Sequence, residues 1–298
     1  MLAARAPFVL NVLPMKQSYP AALALLLLAA APPASALELH GDRGSPFDLA
    51  VTGRLAGLKD GETSYARWSD LHALPTTRLT VDGEFMKGPQ VLTVVFLSDL
   101  WKALPTGPGA DSILATCADG YVSVYTSAFV SDYKPFIVLE INGKGPGKWL
   151  PPALAYNPGP YAIMVSADVA PPVAHYPNVQ HKKPWGVTTI EIASYADRFK
   201  GIYSGAWASL PPAAASGREI WVNSCASCHA GPAGTFGGTK AGRPFQVVAA
   251  YAGYDRTFFV KYVRDPKSLV PCAKMEPHPR YTDDELSGLI EFITREQR

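Results

Sequence analysis

The chain has 298 residues, 48% of them apolar and 17% charged, which is enough apolar mass for two separate cores. Its 27 Lys and Arg face 25 Asp and Glu, and the first 36 residues hold Arg5, Lys16 and no acid, so beyond them the two signs balance at 25 each. A neutral chain without a Lys/Arg cluster has no electrostatic footprint for nucleic acid or an anionic membrane, and both are excluded as partners.

Residues 1–36 read as a secretory signal peptide. Met15-Lys16 precedes the apolar run Ala21 to Ala31, and the small-residue site Ala34-Ser35-Ala36 follows it. The run is short for a bilayer and Pro32-Pro33 breaks it, so cleavage and export to the periplasm or an equivalent compartment are expected. No membrane span is expected in the mature chain.

Residues 37–203 carry short β-like phrases: Leu92 to Leu97, Tyr121 to Thr126, Phe136 to Asn142, Tyr161 to Ser166 and Val187 to Ile192. Turn residues such as Asn142-Gly143 and Asn157-Pro158-Gly159 separate them. Helical phrases at Trp68 to Leu74 and Leu97 to Leu104 interrupt the strands, which predicts a strand-rich α+β domain. Residues 204–215 are rich in small residues around Pro211-Pro212 and read as an interdomain linker.

Residues 216–298 predict an all-α domain. Gly217 to Ser224 leads into a cysteine pair, and Asp255 to Arg264 forms a helix that Pro266 stops. Thr282 and Glu285 then have the spacing of a capping box, ahead of Leu286, Leu289, Ile290 and Ile293 at helical intervals.

The chemistry lies in Cys225-Ala226-Ser227-Cys228-His229, a C-x-x-C-H run of the kind that attaches c-type haem. Two thiols one helical turn apart can each form a thioether with a haem vinyl group, and the adjoining imidazole then serves as an axial ligand to the iron. A redox-active C-x-x-C belongs beside a βαβ pattern that is missing here. A zinc site needs a second ligand pair, and only Cys272 and His278 lie downstream. For the sixth iron position the candidates are Met275, the single methionine after the motif, and His278, in the same proline-stiffened loop Pro271 to Pro279. A gap-filling core methionine is the other reading of Met275. Cys117 and Cys272 read as small buried hydrophobes or as an interdomain disulfide.

Residues 216–298 resemble the class I cytochrome c family in the order Gly217-x-x-x-Trp221-x-x-x-Cys225, the C-x-x-C-H run, Arg243-Pro244-Phe245, Lys274-Met275-x-Pro277 and a final amphipathic helix. The resemblance implies one haem c, held through Cys225 and Cys228 and ligated by His229 and Met275. It implies that the Pro244 carbonyl accepts the His229 N–H and fixes that ligand's orientation. It also implies that Trp221 packs against the last helix near Phe292, and that the protein exchanges single electrons with redox partner proteins.

In residues 37–203, Ser69-Asp-Leu-His-Ala-Leu-Pro75, Leu97-Ser-Asp-Leu-Trp-Lys-Ala-Leu104, Cys117-Ala-Asp-Gly-Tyr121, Val138-Leu-Glu-Ile-Asn-Gly-Lys144 and Trp185-Gly-Val-Thr-Thr-Ile-Glu-Ile192 resemble, in that order, the molybdopterin-binding domain of the sulfite oxidase family. That family ligates molybdenum through a cysteine between the first two phrases, and Thr76 to Phe96 contains none. The departure implies that the fold is kept and the molybdopterin lost. His175 and His181 fall in a proline-rich stretch and read as solvated.

The expected function is an exported c-type cytochrome. The alternatives are a molybdenum oxidoreductase of sulfite dehydrogenase type that feeds its own haem, and a haem sensor or respiratory-complex subunit. Met275 speaks against the sensor, which needs an open axial position.

Overall fold

Apolar residues that alternate with period two give the first half of the chain its sheet, because successive strand side chains point to opposite faces. The computed structural model describes residues 36–59, 61–82, 86–149, 159–171, 179–234 and 236–295. The expected signal peptide, up to residue 35, lies outside the described residues, as does His175. Among the described residues no helix is long and apolar enough to cross a membrane.

The strands are β1 (Leu49–Gly53), β2 (Thr63–Ala66), β3 (Thr77–Val81), β4 (Gln90–Phe96), β5 (Ser112–Cys117), β6 (Val122–Thr126), β7 (Phe136–Ile141), β8 (Tyr161–Met164) and β9 (Trp185–Ala193). They form one mixed sheet in the order β2-β1-β9-β8-β7-β4-β3, with β5 pairing both β9 and β6. Strand β9 is the hub. It runs parallel to β1 and antiparallel to β5 and β8. The helices of this half are α1 (Trp68–His72), α2 (Leu97–Ala103) and α3 (Ser127–Tyr133). A strand-rich α+β architecture is therefore present.

Both faces of the sheet are buried. Ile113, Ala115, Tyr125, Ile137, Leu139 and Ile190 point into one core, and Leu92, Val94, Phe136, Val138 and Trp149 into a second. The intervening residues Leu114 of β5 and Val124 of β6 point outward into a third core, built mainly by the second half of the chain. The described residues thus form one compact unit through shared apolar burial.

After β9 come α4 (Tyr195–Arg198), α5 (Lys200–Tyr203), α6 (Pro212–Asn223), α7 (Phe245–Tyr254), α8 (Arg256–Arg264), α9 (Pro266–Leu269) and α10 (Asp283–Ile293). The stretch expected as a linker is packed structure. Trp207 is buried, with its ring 5.0 Å from Phe292, and Pro212 is the first residue of α6. A proline fits there because the first helical N–H needs no intrahelical acceptor. Similarly, Pro266 begins α9 after Asp265 has capped α8.

Helix α10 starts as its sequence predicts: Thr282 Oγ1 accepts from Glu285 N at 3.2 Å, and Glu285 Oε2 accepts from Thr282 N at 2.8 Å. Its apolar face packs on α6. Gly217 and Gly288 lie at the crossing, where a Cβ on either would overlap the backbone of the other helix. Trp221 is buried and meets Phe245 edge to face at 4.9 Å, and Phe245 in turn meets Phe292 at 6.2 Å. Trp221, Phe245 and Phe292 thus share one buried cluster.

Candidate functional site

Helix α6 ends at Asn223, and Cys225–Ser227 continue as one 3-10 turn, which brings Cys225, Cys228 and His229 to the surface of the third core. All three are half-buried. The turn is held by backbone bonds from Cys228 N and His229 N to Cys225 O, at 3.1 and 2.9 Å. Cys225 and Cys228 are both free thiols.

His229 Nδ1 lies 3.4 Å from the carbonyl oxygen of Arg243. A carbonyl only accepts, so Nδ1 carries the proton and Nε2 is left as the nitrogen with a free lone pair. The expected acceptor was Pro244. Its carbonyl instead receives Val247 N and Val248 N, at 3.0 and 3.3 Å, in the first turn of α7. As N-cap of that helix it is committed to the helix, and the preceding carbonyl takes the imidazole.

Burial pushes the Cys225 thiol up to about 12 and the Cys228 thiol up to about 11. A disulfide-exchanging C-x-x-C works with a thiol pKa lowered toward neutrality, and burial acts here in the opposite direction. Zinc fits no better. Among the described residues the one convergent group of three ligand atoms is Glu38, His40 and Asp70, where His40 Nε2 already bonds Asp70 Oδ2 at 2.9 Å. Among the described residues Cys225, Cys228 and His229 form no such group.

Met275 is half-buried against the same apolar cluster as Cys225. His278, the rival sixth ligand, is buried. Its ring stacks on His181 at 4.6 Å and 11°, its backbone N–H donates to Val263 O at 2.9 Å, and burial pushes its pKa down to about 4. His181, expected to be solvated, is buried at the contact between the two halves. Two free thiols and an imidazole whose Nδ1 faces a carbonyl share one turn, and Met275 packs on the same apolar cluster as Cys225; these donor types suit a covalently held haem.

The first half of the chain reaches this turn through the Cys117 to Tyr121 loop. Thr239 N donates to Gly120 O at 3.0 Å, and Lys240 pairs with Asp119 at 2.8 Å. Cys117 is buried and free, and Cys272 is exposed and free, so neither the disulfide nor a buried Cys272 is found. Sequence reading also missed Lys182, which is 1% exposed: its ammonium group donates to Val124 O and to Asn223 Oδ1, and lies 5.1 Å from the Phe129 ring. It lines a cleft of about 380 Å³ together with Phe129, Tyr195 and Glu219 and none of the candidate haem residues.

A molybdopterin centre is not suited by these residues. Asp82 is exposed beyond β3, Thr76 to Phe96 contains no cysteine, and the thiol of Cys117 is pushed up to about 12 by burial and then by Asp119.

No family model and no curated protein matches the chain. Among solved structures, the sulfane dehydrogenase SoxCD from Paracoccus pantotrophus is similar over 54% of this chain and 43% of that one, at 14% identity and a TM-score of 0.35. The chain spans less than half the length of that structure.

Proposed function

We propose that the protein is an exported c-type cytochrome, with one haem bound through Cys225 and Cys228 and ligated by His229 and Met275. The observation that carries the reading is the turn Cys225 to His229, with both thiols free and His229 Nδ1 committed to the Arg243 carbonyl. When bound, the haem supplies single-electron exchange with partner proteins. The chain's own residues do the rest. Arg243 O would orient the His229 imidazole and raise its basicity, Met275 would supply a thioether ligand, and Trp221, 6.1 Å from His229, would exclude water beside it.

In this reading residues 216–298 are a cytochrome c domain and residues 37–203 a sulfite-oxidase-type domain that has lost molybdenum and serves as a scaffold. The donor set described above supports that division: one half holds the haem-binding residues, and the other has its single thiol buried and protonated. Export is supported by the leader and by the need to attach haem outside the cytoplasm.

The test is the paired substitution Cys225→Ala and Cys228→Ala in protein expressed with export. Wild type is expected to keep its haem through acid and organic extraction, and the double mutant to lose it. Retention by the double mutant would overturn the reading.

A further inference from the structure

The loop Pro271 to Pro279, which carries Met275, is exposed along most of its length. Its one buried residue is His278, so His278 is the anchor of the loop. The partner of that anchor belongs to the other half of the chain. His181, in the 3-10 turn Val179–Lys182 just before β9, lies flat on the His278 ring with centroids 4.6 Å apart and planes within 11°. His181 is held in turn by the Tyr121 hydroxyl, 3.3 Å from its Nδ1, and by Ser123 Oγ, which donates to its carbonyl.

The contacts continue beyond His278. His278 stacks on Tyr281 at 5.8 Å, and the Tyr281 hydroxyl meets Ser224 Oγ at 2.7 Å, one residue before Cys225. A connected series of rings therefore runs from the sheet half, through the base of the Met275 loop, to the residue that precedes the attachment turn. Rings in contact are fixed by their neighbours far more than an exposed loop is by its own backbone.

We infer that His181 is a positioning residue for Met275: by stacking on His278 it sets where the Met275 loop sits, and so how firmly Met275 would bind iron. The inference rests on the reading of Met275 as axial ligand, and it gives the sheet half a role in tuning the electron-transfer centre.

The test uses full-length holoprotein with His181→Ala, His181→Leu and His181→Phe. The readouts are the weak red sulfur-to-iron band of the oxidised form, the midpoint potential and the affinity for added imidazole. Phenylalanine keeps a flat ring on His278 and drops both ring nitrogens; leucine fills the volume without a ring face. The alanine and leucine variants are expected to lose most of the band, to have a lower potential and to bind imidazole roughly tenfold more tightly. The phenylalanine variant is expected to resemble wild type in all three, and if the alanine variant does not fold, leucine against phenylalanine decides. Wild-type band and imidazole affinity in the alanine or leucine variant, with only thermal stability reduced, would make His181 a packing residue and overturn the inference. A phenylalanine variant that behaves like leucine would overturn it too. Absence of the band from wild type itself would remove the Met275 reading, a failure distinguishable from these because it precedes any substitution at His181.

Discussion

Gly217 of α6 and Gly288 of α10 meet backbone to backbone, and a Cβ added to Gly217 would overlap the carbonyl oxygen of Gly288. Two helices can approach this closely only where neither carries a side chain, and this crossing brings the apolar face of α10 onto the helix that leads into the attachment turn. Alanine at either position should raise helix propensity by about 1 kcal/mol, but overpacking against backbone should cost more. The net effect of Gly217→Ala is expected to be a loss of about 2 kcal/mol in denaturant unfolding. A variant as stable as wild type would show that the helices are not in this contact.

Lys182 makes a prediction with a definite sign. Burial lowers its pKa from 10.5 to about 7, and its nearest groups are carbonyls and aromatic rings rather than carboxylates. Between about pH 7 and 10.5 the unfolded chain holds a proton at this amine and the folded chain does not. The Lys182 contribution to stability therefore rises with pH across that window, by at most about 1.4 kcal/mol per pH unit, and is flat outside it. Stability profiles of wild type and Lys182→Met measured from pH 6 to 10 should diverge with that slope, and parallel profiles would contradict the assignment of a depressed pKa.

Thiol counting separates the four cysteines. Cys272 is exposed, whereas Cys117 is 4% exposed and its thiol is pushed up to about 12. In the native holoprotein a thiol reagent at pH 8 should label Cys272 alone, and unfolding should reveal Cys117 as the only further site. Labelling of all four after unfolding would mean that Cys225 and Cys228 carry no thioether bonds.

The sequence was most readable where the signal is local. The capping box of α10 and the apolar phrases of β4, β6, β7, β8 and β9 are set by residues a few positions apart, and the structure has them with small boundary shifts. Strand β5 was missed because Ser112 to Leu114 and Cys117 are all buried: with Leu114 covered by the helical half, no polar alternation marks the strand. Helix α7 was missed because its residues Phe245 to Tyr254 are apolar on most sides, while only Phe245, Ala249 and Ala252 are buried. Trp207 made the apparent linker part of a core, through contacts with Phe245 and Phe292 from distant segments. At the site, the residue types were legible and the partners were not. The imidazole's acceptor fell one residue before the expected proline, and the stack of His181 on His278 joins segments that no local pattern relates.

Elemental analysis bears on the first half of the chain. Protein made with an active molybdenum cofactor pathway is expected to hold no stoichiometric molybdenum, because no thiol lies between Thr76 and Phe96 and the thiol of Cys117 is buried in the core. Sulfite should then reduce the haem no faster than it reduces an unrelated cytochrome of similar potential. Near-stoichiometric molybdenum with fast sulfite-dependent reduction would make the protein a molybdenum oxidoreductase instead.

The most direct measurement is the mass of the denatured, solvent-extracted protein and of its proteolytic peptides. A mass equal to the mature chain plus one haem is predicted, with the added mass on the peptide that contains Cys225, Cys228 and His229. A chain at its bare mass after extraction, or haem mass on any other peptide, would contradict the account.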